Sequence, residues 1–481
     1  MSFNPLCSAP LDTIEKKIGN ISLSELSEKG VSDFISTSKK VQETLSSMPV
    51  EERLKAVDEM GRLWEKKASE NQLAGLKSML SKSTGYCERL IDMEFSLVPS
   101  MLNAESLRKN LESSFAKGIR GLDGYIEIES GEMIRYLPAG PVFIISSGNS
   151  LIPPLIPTTI SLVTGNLTLL RPSLANYLGV VEIYRLLREI TSPAAKLLSE
   201  ALAVSYFTHD SPALKFILTK APVGSINFWG GEPARTDVSR QVSENIHHPR
   251  LVINGPLTGY AIIDESSAEQ YAAMGLAKNM ILYDQQLCSS PTQAAFIGSW
   301  AKANEYAQNA CAFLETMSAD FPMKLGEGSI FALQSARRFL QFKGSSVYSS
   351  KDIANAWTII LSKGESVLDE VVAASPEFNL YNRRRFIEIV VVDTPEKAVE
   401  HLREIPLRKA FRGVDKVQTV GLAVSDQTKS MLLNPLANSG VYRVLPLGDM
   451  FLRSANEPYD GVSIAAGFTY MTYYREKTLL P

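Results

Sequence analysis

Apolar and polar positions along this chain change rhythm twice. From Pro49, residues Leu54, Val57, Met60, Leu63 and Trp64 fall at helical spacing. Glu51 and Glu52 sit in the first turn, where acidic groups suit the helix dipole. The helical pattern continues to about Phe115, with Gly85 as a break, so the first part of the chain reads as helical. Residues 125–129 and 132–136 then alternate about Ser130-Gly131, as a β-hairpin does. Residues 141–146 form a continuous apolar run, the pattern of a strand buried on both faces. Beyond it, strands are expected at 167–170, 203–207, 224–228 and 251–253, with helices at 178–190 and 232–245. A second alternating set follows, with strands at 261–263, 293–297, 357–361, 387–392 and 419–424 and a helix at 395–403. Such alternation predicts an α/β protein with doubly wound parallel sheets.

Composition narrows the class. A chain of 481 residues is too long for one small core, and 45% hydrophobic with 21% charged residues is the balance of a folded globular protein. A net charge of −3 gives no electrostatic case for a nucleic-acid partner. The run Arg383-Arg384-Arg385 reads as a solvated edge or a phosphate contact. Four cysteines, Cys7, Cys87, Cys288 and Cys311, make no disulfide framework and show no metal-type spacing, so no metal is expected. The apolar region 137–170 is broken by Pro138, Pro141, Pro153, Pro154 and Pro157, which argues against a membrane span. The first residues lack a basic stretch followed by an apolar one. A soluble, cytoplasmic protein is the expectation.

Four places could carry chemistry. Cys288 lies in Asp284-Gln285-Gln286-Leu287-Cys288-Ser289-Ser290-Pro291. A lone cysteine is more often a core thiol, but polar flanks and a loop position suit a reactive thiolate. Asn149, in Ser147-Gly148-Asn149-Ser150 after a buried strand, stands where α/β proteins bind ligands, and its amide could donate to an oxyanion; a turn asparagine is the plainer reading. Arg171-Pro172-Ser173 ends the next strand, where a cation could meet a cofactor phosphate or simply face solvent. Phe228-Trp229-Gly230-Gly231 precedes a helix expected from Glu232, and paired glycines let a helix N-terminus approach a pyrophosphate. No full GxGxxG accompanies them.

Taken in order, these segments resemble the aldehyde dehydrogenase superfamily, and within it the acyl-CoA reductases of the LuxC type, over roughly residues 121–426. The resemblance implies an aldehyde-dehydrogenase-like α/β fold: two Rossmann-like parallel-sheet domains plus a small β oligomerisation element. It divides the chain into a cofactor-binding domain (1–122 and 138–253), a catalytic domain (254–450), and an oligomerisation hairpin and tail (123–137 and 465–481). It implies Cys288 as the nucleophile and Asn149 as the oxyanion donor. Arg171, Ser173, Gly230, Gly231 and Ser147 become cofactor contacts. A homodimer or homotetramer is implied, with an acyl-protein synthetase as a possible partner.

Departures from the superfamily shape the expected chemistry. Aldehyde-oxidising members keep a Glu just before a Gly turn to activate water; here Leu251-Val252-Ile253-Asn254-Gly255 has no acid. Without that base, exchange with a thiol is favoured over hydrolysis. Leu174 stands where NAD-preferring members often carry Glu, so NADPH is expected over NADH. No acid marks residues 382–385, where oxidising members steady the nicotinamide ribose. His247 and His248 read as structural or solvated. The apolar residues Phe228, Trp229 and 151–156 speak against a polar acyl pocket. The expected activity is NADPH-dependent reduction of a long-chain fatty acyl thioester, on CoA or a carrier protein, to the aldehyde. Alternatives are a short-chain CoA-acylating aldehyde dehydrogenase and a non-catalytic scaffold subunit.

Overall fold

The computed structural model describes residues 2–353, 355–380, 382–454 and 457–476. It divides into two compact units. Unit 1 comprises Met1–Thr84, Ile91–Asn254 and Ser454–Pro481; unit 2 comprises Gly85–Leu90 and Gly255–Arg453.

Unit 1 opens with strands β1 (Ser2–Phe3), β2 (Thr13–Ile18) and β3 (Ile21–Leu26). They form a small sheet in the order β1-β3-β2. This corrects the reading of the first part as helical. β2 carries little apolar patterning and is mostly exposed, so period-2 alternation is faint there, but Gly19-Asn20 makes a two-residue hairpin turn. Helices follow, among them Val50–Ser69, which buries Leu54, Val57, Met60 and Trp64 as their spacing predicts. Next come the hairpin strands β4 (Ile126–Glu129) and β5 (Glu132–Pro138).

The main sheet of unit 1 holds β6 (Val142–Ile145), β7 (Thr168–Arg171), β8 (Leu202–Val204), β9 (Ser225–Trp229) and β10 (Arg250–Asn254). All pair parallel, in the order β10-β9-β6-β7-β8. The chain moves outward from β6 through β7 to β8, then returns to β9 on the other side. The switch point, where α/β sheets bind ligands, therefore lies at the carboxyl ends of β6 and β9.

Unit 2 holds β11 (Leu257–Asp264), β12 (Pro291–Ile297), β13 (Ser346–Ser349), β14 (Thr358–Lys363), β15 (Phe386–Val392), β16 (Lys416–Ala423) and β17 (Arg443–Pro446). Their order is β13-β14-β15-β12-β11-β16-β17, with only β13 antiparallel. Alternate residues feed two cores. Tyr260 and Ile262 pack into one face with Val390 and Phe411. Ala261 and Ile263 pack into the other with Met280 and Tyr306. A strand buried on both faces reads as an unbroken apolar run, which is why β11, β12, β14, β15 and β16 were visible in sequence, whereas the partly buried edge strands β13 and β17 were not.

After unit 2 the chain returns to unit 1 as β18 (Thr469–Arg475), antiparallel to β5, giving the three-stranded sheet β18-β5-β4. Residues 477–481 of the expected tail lie outside the described residues. Among the described residues no helix is long and apolar enough to cross a membrane.

Candidate active site

Cys288 sits in unit 2 on the short turn between a helical segment ending at Ile281 and strand β12, and its side chain is exposed. The approach to it is unusual. Tyr283, Asp284 and Gln285 all take left-handed backbone angles, with φ of 55°, 50° and 64°. None is glycine, and each such residue costs about 1–2 kcal/mol. Side chains hold the conformation. Arg385 donates to Asp284 Oδ1 from Nε at 2.9 Å and from Nη2 at 2.6 Å. Gln285 Oε1 accepts the Phe386 N–H at 2.7 Å, and Gln285 Nε2 donates to the Pro291 carbonyl at 2.7 Å. Gln286 Nε2 donates to the Arg383 carbonyl at 3.1 Å. Burial pushes the Asp284 carboxyl up, and the Arg385 guanidinium draws it back toward ionisation.

Two sequence expectations are corrected here. Arg383-Arg384-Arg385 is not a solvated edge: Arg383 and Arg385 are 5% and 1% exposed. Arg383 lies over the Phe411 ring and donates to the Ala410 carbonyl. The polar flank of Cys288 is likewise not all solvated, since Asp284 and Gln285 are buried. On its far side the turn lies against β11. Gly259 N–H donates to the Ser290 carbonyl at 3.0 Å, and a Cβ on Gly259 would stand 2.2 Å from the Ser289 carbonyl oxygen.

Asn149 sits in unit 1, in the loop between β6 and the helix Ile152–Val163. That loop is tied down from inside. Asn176 Nδ2 donates to the carbonyls of Ser147 and Ser150 at 3.0 and 2.7 Å, and Glu94 accepts the Leu151 N–H at 2.9 Å. Ser147 Oγ donates to Asn149 Oδ1 at 3.0 Å, which makes Nδ2 the donor end of the amide. Asn176 and Glu94, both 1% exposed, were missed in sequence because neither belongs to a motif.

The expected cofactor contacts cluster at the carboxyl ends of neighbouring strands in unit 1. A Cβ on Gly148 would meet Ser173 Oγ at 2.4 Å, so the loops after β6 and β7 touch at a glycine. Arg171 closes β7. Its Nε and Nη2 donate to the Phe207 carbonyl at 3.1 and 3.0 Å, and its guanidinium lies 4.7 Å from the Tyr206 ring centre. Burial pulls Arg171 below the usual arginine range. Gly230 and Gly231 follow β9, but the next helix begins at Ala234, not Glu232. Glu232 lies across its first turn, accepting from Thr236 N–H and Oγ1 and from Arg235 Nε, which hold its carboxyl below the usual range. A carboxylate thus already serves that helix N-terminus. Of the two glycines before it, Gly230 already donates its N–H to the Asn254 carbonyl at 3.1 Å.

At the carboxyl end of β10, Asn254 stands just before the Gly255 turn. Its Oδ1 accepts from Asn227 Nδ2 at 2.9 Å, and its Nδ2 donates to Asp460 Oδ2 at 2.9 Å. An acid therefore does reach this edge, from a position 206 residues away that sequence order hides. Phe228, Leu151 and Leu155 are core residues, so they say nothing of an acyl pocket; Trp229 is half-buried against Tyr459. His247 and His248 are exposed. Among the described residues, Glu365, His401 and Glu404 could gather about an ion, but Arg408 Nη2 already bonds both His401 Nδ1 and Glu404.

A sequence model of the acyl-CoA reductase (LuxC) family matches residues 45–469. The chain belongs to this family. A long-chain acyl-protein thioester reductase 2 from Photobacterium leiognathi is 22% identical over 243 residues, 50% of this chain and 48% of that one. The match thus spans about half the length of that relative. Among solved structures, aldehyde dehydrogenase 21 from Physcomitrella patens superposes with a TM-score of 0.73 at 12% identity, over 100% of this chain and 99% of that chain. A glyceraldehyde-3-phosphate dehydrogenase from Methanocaldococcus jannaschii, complexed with NADP, gives 0.68 at 14% identity over 96% and 98%. These likenesses fix the fold: this LuxC-family chain is an aldehyde-dehydrogenase-like α/β protein with two parallel sheets.

Proposed function

We propose that this LuxC-family protein reduces a fatty acyl thioester to the aldehyde, with Cys288 as acyl acceptor and NADPH as reductant. The observation that carries the reading is an exposed thiol on a tightly pinned turn, inside a chain matched by the family over most of its length. The long-chain relative supports a fatty acyl group, carried by CoA or a carrier protein.

In this reading Cys288 gives up its proton and its sulfur bonds to the acyl carbon. The donor's carbon–sulfur bond breaks, and CoA or the carrier leaves as a thiol. Asn149 Nδ2 supplies a hydrogen bond to the tetrahedral oxyanion. The strand position before the Gly255 turn holds an amide, engaged by Asn227 and Asp460, and an amide is no base with which to activate water. The carboxyl ends of β6, β7 and β9 suit a dinucleotide: Ser147 and Ser173 offer hydroxyls, Gly230 and Gly231 bring backbone with no side chains of their own, and Arg171 brings a cation. Leu174 presents no acid to a 2′-phosphate, which supports NADPH, and one structural neighbour binds NADP. Bound there, NADPH would supply the hydride. Residues 1–122 and 138–253 are assigned to cofactor binding, 254–450 to the chemistry, and 123–137 with 465–481 to assembly as a homodimer or homotetramer. An acyl-protein synthetase is a candidate partner.

Cys288→Ala is expected to take up no radiolabel from acyl-CoA and to form no aldehyde with NADPH. Label retained by that variant would refute the assignment.

A further inference from the structure

The Cys288 turn raises a question that its own sequence does not answer. Three consecutive left-handed residues would be natural for glycines; Tyr283, Asp284 and Gln285 do not hold such a path unaided. The constraint comes from one short segment a hundred residues away in the sequence. Residues 383–386 at the foot of β15 meet each of the residues 284–286 in turn. Arg385 is the centre of this template. It is 1% exposed, it is itself left-handed at φ 48°, and it is anchored to the Phe321 carbonyl at 2.7 Å while both Nε and Nη2 hold Asp284. A buried ion pair is a poor device for stability alone, because taking both charges out of water costs much of what their attraction returns. It is a good device for fixing one geometry. Cys288 follows Asp284 by four positions, so the ion pair fixes the start of the path that leads to the sulfur.

We propose that Arg385 is a positioning residue for Cys288, acting through its ion pair with Asp284 on the left-handed turn that delivers the thiol. The proposal rests on the reading of Cys288 as acyl acceptor. Arg385 touches neither the acyl group nor the cofactor in this role; it sets where the sulfur stands.

The test is single-turnover acylation of the full chain by tritium-labelled tetradecanoyl-CoA, with NADPH binding followed separately by fluorescence titration. Arg385→Met is expected to slow acylation at least tenfold. The final labelling per chain, the half-saturating acyl-CoA concentration and the NADPH midpoint are expected to stay at wild-type values. Arg385→Lys, which keeps the charge and one bond to Asp284, should recover part of the rate, and Asp284→Asn should lose part of it. These two milder variants decide the matter if Arg385→Met does not fold. Wild-type rates in both overturn the proposal. So does a rise of the acyl-CoA or NADPH midpoint in step with the lost rate, which marks general loosening. Failure of the underlying reading looks different: the wild-type chain takes no label, or Cys288→Ala takes it normally.

Discussion

The four thiols of this chain are set apart by their surroundings. Cys288 is exposed, whereas Cys7 and Cys311 are half-buried, and burial pushes both of the latter up to about 12. At pH 8 a thiol so shifted is ionised in only about one molecule in ten thousand, and the thiolate is the nucleophile. Brief treatment of the folded protein with iodoacetamide at pH 8 should therefore modify Cys288 and spare Cys7 and Cys311. Peptide mass spectrometry reads the outcome, and early modification of Cys7 or Cys311 would contradict it. Legibility at this scale was uneven. Cys288 could be found because its neighbours in sequence form a family motif. Arg385 and Asp460 could not, because each matters through a partner about one or two hundred positions away.

At the scale of elements, the site depends on a strand that lends it room. β11 carries Gly259 where the backbone of Ser289 and Ser290 comes to rest, and no side chain fits between them. Gly259→Ala forces two backbones apart, an overpacking that costs about 1–3 kcal/mol. The expected result is a lowered Tm together with slower acylation of Cys288, since the turn itself must move. A variant with wild-type values in both would show that the turn does not bear on β11. The central parallel strands were readable as apolar runs because both of their faces are buried; the edge strand β17, only partly buried, was not. The hairpin of β2 and β3 was not, since β2 is largely solvated and its pattern does not alternate. The glycines after β9 were placed correctly. Pro233 and the capping carboxylate of Glu232 nevertheless start the helix later than its pattern suggested.

At the scale of the molecule, the three-stranded sheet leaves an unusual surface. Tyr470, Met471, Tyr473 and Tyr474 on β18 are 48%, 61%, 49% and 50% exposed, and Tyr125 stands near Tyr474. β18 is also a sheet edge, the side of a sheet on which another strand can pair, although its Thr469 carbonyl already accepts from Arg250 Nη1 at 3.1 Å. Proposed as an assembly element, this sheet should lose its partner when Met471→Asp and Tyr473→Asp are combined. Light scattering coupled to size-exclusion chromatography should then show a smaller particle of unchanged secondary structure. An unaltered mass would place assembly elsewhere.

The order of the chain through the two units has a consequence for its birth. Unit 2 interrupts unit 1, and β18 is synthesised only after all of it. On the ribosome, β5 waits with one edge bare and Asn254 waits without Asp460 while some two hundred residues of unit 2 emerge and collapse. The nascent unit 1 therefore passes through a long interval as an unfinished domain, completed only once unit 2 has been synthesised.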